Sequence, residues 1–267
     1  MTAGPGPNPG HDLTESQRQF SQVAEAYRRS PSHADPVSLA RFLALAELRP
    51  NHRVLDLATG TGNVALAAAV QVAEVVGLDI TPKMLDQAKQ QAAEREIRNV
   101  SFIVGDAERL PFAAASFDRV LVRSAPHHFK QLIPALSEAY RVLRPGGVFA
   151  VSDCSPPPVV RDWLEVVEVG RDPSHFRSRA LEEWRALLQS LGFTVEHAER
   201  IEQEKDILEW FDVASVSDKR KRQLLDYYET APQAVRGQLL AQWREGRLYH
   251  RYWHALIRAR RPIHPPA

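Results

Sequence analysis

The chain has 267 residues, 44% hydrophobic and 25% charged, the balance of a folded protein with one sizeable domain and some decoration. A formal net charge of +1 leaves no electrostatic case for a nucleic-acid partner. The single cysteine, Cys154, excludes an internal disulfide and fits the cytoplasm, and no apolar run approaches the ~20 residues of a bilayer span, so no membrane is expected.

Residues 1–12 open on the Pro- and Gly-rich run MTAGPGPNPG, without a charged-then-apolar leader pattern, and are expected to form a tail without fixed structure. From Leu13 to Tyr27 the apolar spacing is helical with Thr14 as N-cap, and Pro36–Leu48 gives a second helix that Pro50 ends. From Arg53 strand and helix signals alternate, the mark of a parallel sheet with helices on both faces. The expected strands are Arg53–Leu57, Glu74–Leu78, Val100–Val104, Phe117–Val122, Val148–Ser152, Phe193–Ile201 and Leu248–Ile257. Two helical insertions interrupt the alternation. Residues 153–192 hold the loop Ser-Pro-Pro-Pro and a helix, Leu181–Leu191, which Gly192 closes; residues 203–245 are largely helical. The expected organisation is thus a tail (1–12), an N-terminal helical lid (13–50), one domain with two insertions (51–260) and a second tail (261–267). The basic, aromatic run near the C-terminus, REGRLYHRYWHALIRARR, reads as a strand with a solvated end and not as a nucleic-acid groove.

The run that carries chemistry is Arg53–Ala67, RVLDLATGTGNVALA. A strand gives way to a turn of small residues, Ala58 to Gly62, and then to a helix. Gly60 and Gly62 let backbone amides approach a ligand and aim the helix N-terminus at it. The stretch GTGNVA also satisfies the dinucleotide fingerprint, so the turn alone does not choose a nucleotide. Asp56 does: a carboxylate is unfavourable beside a pyrophosphate and favourable beside the sulfonium and α-ammonium of S-adenosylmethionine. Asp79 ends the second strand, where it can accept both ribose hydroxyls. Asp106, in GDAERLPF after the third strand, can accept from an adenine amino group. The Pro-Gly-Gly of RVLRPGG supplies a helix stop and tight turn before the fifth strand.

In this order the four pieces resemble the class I S-adenosylmethionine-dependent methyltransferases, specifically the broad group of ubiquinone/menaquinone-biosynthesis (type 11) enzymes, over about Arg53–Ser152. The resemblance implies a Rossmann-like, doubly wound α/β fold with a seven-stranded sheet, an antiparallel last strand and helical lid insertions. It also implies S-adenosylmethionine as cofactor. Asp56 would lie beside the methionine moiety, with Ala58, Gly60, Thr61 and Gly62 in the turn beneath it. Asp79 would hold the ribose, Ile80 and Met84 would flank the adenine, and Asp106 and Ala107 would clamp its amino group. Arg123, directly after the fourth strand, is assigned to the cofactor as well. Ala58 departs from the commonest pattern, which has Gly there. Taken singly, Met84 suits a core equally well, and Asp56 or Asp79 a helix cap; the ordered set carries the reading.

The segment after the fourth strand must face the reactive methyl, and here it reads RSAPHHF, Arg123 to Phe129. Two other histidine-bearing segments, SPSHA (Ser30–Ala34) and RDPSHF (Arg171–Phe176), look like those of a bacterial subfamily of small methyltransferases. His128 is the first candidate general base and His127 the second, since neutral imidazole suits proton removal near pH 7. Arg171 can hold an acceptor carboxylate or phenolate, and Tyr27, His33 and His175 join it as candidate substrate contacts. Loop capping and ordinary packing are the alternative roles for each of these. Among the histidines of these three segments no pair has the i, i+4 spacing of a helical ligand pair, so no metal is expected. The expected activity is methylation of oxygen, nitrogen or carbon on a small metabolite, aromatic or carboxylate-bearing. The alternatives are an S-adenosylmethionine-binding protein with non-methylating chemistry and an NAD-dependent oxidoreductase.

Overall fold

The computed structural model describes residues 14–30 and 35–264. Strands β1 (Arg53–Leu57), β2 (Glu74–Asp79), β3 (Val100–Val104), β4 (Phe117–Arg123) and β5 (Leu143–Cys154) pair in parallel in the spatial order β3-β2-β1-β4-β5. Their burial alternates between two layers, as the period of a strand requires. Leu55 and Leu57 join Leu136 and Trp184 in one core, whereas Val54 joins Phe42 and Val64 in another. The strand order reverses between β1 and β4, and a ligand crevice is expected at their carboxyl ends.

The helices that follow the strands are α3 (Asn63–Ala69), α4 (Pro82–Glu94) and α5 (Leu132–Val142). Ahead of the sheet, α1 (Glu15–Arg29) starts at Thr14 with a reciprocal capping box to Gln17, and α2 (Pro36–Leu45) starts at Asp35. The second helix stops three residues short of the expected Leu48. The buried Arg119 guanidinium takes the carbonyls of Ala46 and Glu47 at 2.5 and 3.0 Å, and Glu47 turns to a φ of +50°.

Beyond β5 come α6 (Pro158–Arg171), α7 (Leu181–Ser190), β6 (Thr194–Asp206), α8 (Ile207–Val213), α9 (Asp218–Glu229), α10 (Gln233–Leu239), β7 (Gln242–Arg244) and β8 (Arg247–Arg260). As expected, β8 is antiparallel: it lies between β5 and β6 and opposes both. The sheet has eight strands because β7 folds back on β8 through Glu245 and Gly246, both at positive φ. A two-residue hairpin inside a polar, helical stretch escapes pattern reading.

More consequential is the length of β6 and β8. Their pairing continues from Glu202↔Trp253 to Asp206↔Tyr249, past the point where β5 ends opposite His254. This overhang packs with α6, α8, α9 and α10 into a third core built on Leu164, Trp210, Phe211, Tyr228, Tyr252 and Trp253. The α6 helix, absent from the sequence reading of 153–192, is amphipathic and buries Val160, Leu164 and Val167.

Trp184 is fully buried where α7 covers the sheet, far from the crevice. Trp184→Ala is expected to cost about 3–5 kcal/mol of unfolding free energy in urea, through lost burial and the cavity left behind.

Candidate active site

The turn after β1 is held in a conformation that few side chains accept. Ala58, Gly60 and Gly62 have φ of +51°, +55° and +87°. The Thr59 amide donates to the Leu78 carbonyl at 3.0 Å, which ties the turn to β2. The two glycines serve different ends. A Cβ on Gly60 would meet nothing within 4 Å and would project into open space, whereas one on Gly62 would lie 3.0 Å from the Ala88 Cβ. Gly60 therefore keeps a cavity clear, and Gly62 lets the turn close onto α4. Ala58 holds its left-handed backbone at a cost of roughly 1–2 kcal/mol, which accounts for glycine at this place in the commoner pattern.

Asp56 sits at the end of β1 with 1% of its surface exposed. It accepts from the Thr59 hydroxyl at 2.5 Å and the Ala65 amide at 3.1 Å. Burial pushes its pKa up to about 7, with the nearby Asp79 adding to the rise and the two hydrogen bonds opposing it. Asp79 accepts from the amides of Gly60 and Thr81, both at 2.8 Å, and burial raises its carboxyl too. One amide on each oxygen leaves lone pairs on both for a ligand.

These groups open on a cavity of about 560 Å³. Asp56, Ala58, Gly60 and Thr61 line it, together with Asp79, Ile80, Met84, Asp106 and Ala107. Arg123, Tyr27 and His128 complete the wall, whereas Gly62 lies beneath the turn and does not line it. The α1 helix covers the opening, where the Gln17 amide donates to the Ile80 carbonyl at 3.1 Å and Glu15 pairs with Lys130 at 2.9 Å.

Behind Tyr27, Ser124 and His128, which belong to both spaces, lies a small recess of about 40 Å³. His127, Arg171, Lys205, Trp210, Tyr252 and His254 wall it. His127 and His128 stand on a 3-10 turn (Pro126–His128) that follows β4. The His127 Nδ1 lies 2.5 Å from an oxygen of Asp153, itself 1% exposed. His128 bonds through Nδ1 to the Ser174 hydroxyl at 3.1 Å, and that hydroxyl donates to Asp172 at 2.6 Å. Burial, with His127 adjacent, pushes the His128 pKa down to about 3.

Arg171 ends α6 and lies 3.2 Å from Glu168, with its guanidinium 4.5 Å from the Trp210 ring centre. Burial alone would raise the Glu168 carboxyl, but Arg171 and His175 outweigh it and hold it at about 2. His175 lines neither space: its Nε2 is 3.0 Å from Glu165, so it braces α6 from behind. His33 lies outside the described residues. Burial pushes the Tyr27 hydroxyl up to about 12.

A family model described as a methyltransferase domain matches residues 48–221. The chain belongs to the methyltransferase-domain family. It is 33% identical over 223 residues to a Bacillus subtilis protein named uncharacterized methyltransferase YcgJ, covering 83% of this chain and 88% of the relative. The crystal structure of YcgJ superimposes with a TM-score of 0.80 at 30% identity, covering 85% of this chain and 98% of that one. The demethylmenaquinone methyltransferase of Thermus thermophilus is 40% identical over 145 residues, covering 52% of this chain and 66% of the relative. The fold is therefore the Rossmann-like class I methyltransferase fold, and the oxidoreductase alternative falls. Enzymes of this class generally use S-adenosylmethionine.

Sequence reasoning missed Lys205, Trp210, Tyr252, His254 and Asp153 in this methyltransferase. The first two fall in a stretch read as helical insertion, and only the extra length of β6 and β8 brings Lys205 and Tyr252 to the recess, whereas His254 stands opposite the last residue of β5. Asp153 directly follows the expected fifth strand, Val148–Ser152, and that place at a strand's carboxyl end was the signal that could have found it. The atoms of His127, Asp153 and Cys154 all lie within 4.8 Å of one another. As a metal site the set fits poorly: burial keeps the Cys154 thiol protonated, His127 is already engaged with Asp153, and two cations share the recess.

The elevated pKa of Asp56 has a testable sign. Its carboxyl stays neutral in the fold at pH values where the unfolded chain is ionised, so its contribution to stability is lost as pH rises towards about 7. The melting temperature of the ligand-free methyltransferase is expected to fall between about pH 4 and 7, and Asp56→Asn to flatten that fall. A wild-type profile indifferent to pH would show that the carboxyl is not raised.

Proposed function

We propose that the methyltransferase binds S-adenosylmethionine in the large cavity and methylates a small-molecule acceptor whose reacting group enters the recess, with His127 as general base. The observation that carries this reading is the His127–Asp153 pair at a recess sharing a wall with the cavity. The cavity suits the cofactor. Gly60 leaves its Cβ direction empty, Asp56 is a buried carboxylate with no cation within 4 Å among the described residues, and Asp79 offers free lone pairs. Asp56 and the turn from Ala58 to Thr61 would hold the methionine end, Asp79 the ribose, and Ile80, Met84, Asp106 and Ala107 the adenine, with Arg123 above. When bound, the cofactor supplies a methyl group on a sulfonium and leaves as the neutral thioether S-adenosylhomocysteine.

The protein's own work is to position the acceptor, exclude water and take a proton. Asp153 fixes the His127 ring through Nδ1, which leaves Nε2 to receive a proton. His128, first choice on sequence, is less suited, because burial disfavours its charged form and Ser174 takes its Nδ1. We assign it to the wall that orients the acceptor, with Tyr27 and Arg171. The α1 helix closes the opening as a lid, in keeping with the chemistry's need for a dry site.

A screen of small hydroxylated, amino and carboxylic metabolites for S-adenosylhomocysteine formation identifies the acceptor and tests the reading. With an acceptor that must lose a proton, His127→Gln is expected to lower turnover ~10²–10⁴-fold. S-adenosylmethionine affinity should stay within a few-fold, and His128→Gln should cost less turnover. Full turnover by the His127 variant on such an acceptor would remove the base from the mechanism.

A further inference from the structure

The recess is chemically lopsided. Among the described residues no Asp or Glu lines it, whereas Arg171 and Lys205 both do, with Tyr27, Ser124 and three histidines. The acids nearest Arg171 are already engaged. Glu168 accepts from the Tyr252 hydroxyl at 2.5 Å and from Arg171, and Asp172 accepts from Ser174. Lys205 is different. Its ammonium lies 4.7 Å from the Tyr252 ring centre and 5.2 Å from that of Trp210. Among the described residues no carboxylate comes within 4.0 Å of it. Glu168 and Glu209 act on it only from further away, while Arg171 and Arg123 oppose its charge. Burial, reinforced by Arg171, pulls its pKa down to about 8, so its charge lacks a compensating anion. His254, further along β8 and opposite Ile201, is held neutral by burial and by Lys205 itself.

We propose that the recess is an oxyanion subsite, in which Lys205 selects an acceptor bearing an acidic oxygen over one bearing an amine. This rests on the reading that the acceptor's reacting group enters the recess. A space of about 40 Å³ holds roughly three waters' worth of probe volume, enough for one ionised oxygen group but not for a ring. The body of the acceptor therefore stays in the larger cavity. An ammonium entering beside Lys205 and Arg171 would be repelled in a low-dielectric space. An anionic oxygen instead gains a charge-assisted hydrogen bond from Lys205. His127, on the same wall, receives the proton where the oxygen arrives protonated. Phenols, enols and carboxylic acids share this chemistry.

The test uses the whole protein saturated with S-adenosylhomocysteine, whose binding is followed by calorimetry in the same samples. The probes are 4-nitrophenol, read by its phenolate absorbance, benzoate, their neutral counterparts 4-nitroanisole and benzamide, and benzylamine. At least one anion is expected to bind about tenfold or more tightly than its neutral counterpart, with benzylamine the weakest. Lys205→Met and Lys205→Gln should erase that preference, and Lys205→Arg should retain it. Preference for nitrophenolate alone points to a phenol or enol acceptor, and preference for benzoate alone to a carboxylic acid; both support the subsite. Equal binding of anions and neutral counterparts, or a preference that survives loss of Lys205, overturns it. Intact S-adenosylhomocysteine binding without anion preference removes this inference alone, whereas failure of the wild-type protein to bind it removes the reading of the cavity as well.

Discussion

The carboxylate of Asp56 is held out of water at the end of a buried strand, and much of the surrounding geometry follows from how its charge and lone pairs are met. Its Oδ2 accepts from both the Thr59 hydroxyl and the Ala65 amide, which fixes the turn and the start of α3 together. That turn needs three left-handed residues to come round, and Gly62 lets it seat against Ala88 on α4. Asp79, one strand over, grips the same turn through the Gly60 amide. Burial holds both carboxyls above their usual range, and the nearby Asp79 adds to the rise at Asp56. Such an arrangement is unfavourable in an empty site and is relieved by a cationic ligand. On the proposed reading, the cost of the arrangement and a preference for a sulfonium have the same physical source.

The second half of the site rests on a different device. The β6–β8 pair outruns the parallel sheet, and α6, α8, α9 and α10 give the overhang a core of its own. This carries Lys205 and Tyr252 past the carboxyl end of β5, where they share the recess wall with His254, His127 and His128. The Glu168–Arg171 pair, almost wholly buried and bonded by Tyr252, ties α6 to this overhang. Removing one partner of such a pair is far more damaging than its net contribution suggests, because the other is left charged and alone. The pair is therefore a structural tie that also brings a guanidinium to the recess wall.

What could be read from the residues divides along the same line. The cofactor end is local: Asp56, the turn, Asp79 and Asp106 follow one another along strand ends, so spacing alone places them, and ten of the eleven residues assigned to the cofactor line the cavity. Gly62 differs because a glycine needed for close packing and one needed for ligand approach look alike in a sequence. The acceptor end is assembled from distant pieces. Nothing in the run around Lys205 distinguishes a strand that overhangs a sheet from the start of a helical insertion. The choice between His127 and His128 turns on which imidazole meets a buried carboxylate, and Asp153 is supplied by another strand. His175 looked like its neighbours in sequence but faces Glu165, away from both spaces.

The central claim is that cavity and recess form one path, with the reactive centre at the boundary formed by Tyr27, Ser124 and His128. The most direct test is a crystal structure with an S-adenosylmethionine analogue carrying an amine in place of the transferable methyl. The account predicts the adenosine against Asp79 and Asp106, the methionine end against Asp56, and the amine at that boundary, directed into the recess. An analogue bound in the reverse sense, or with its amine turned away from Tyr27 and His128, would contradict it.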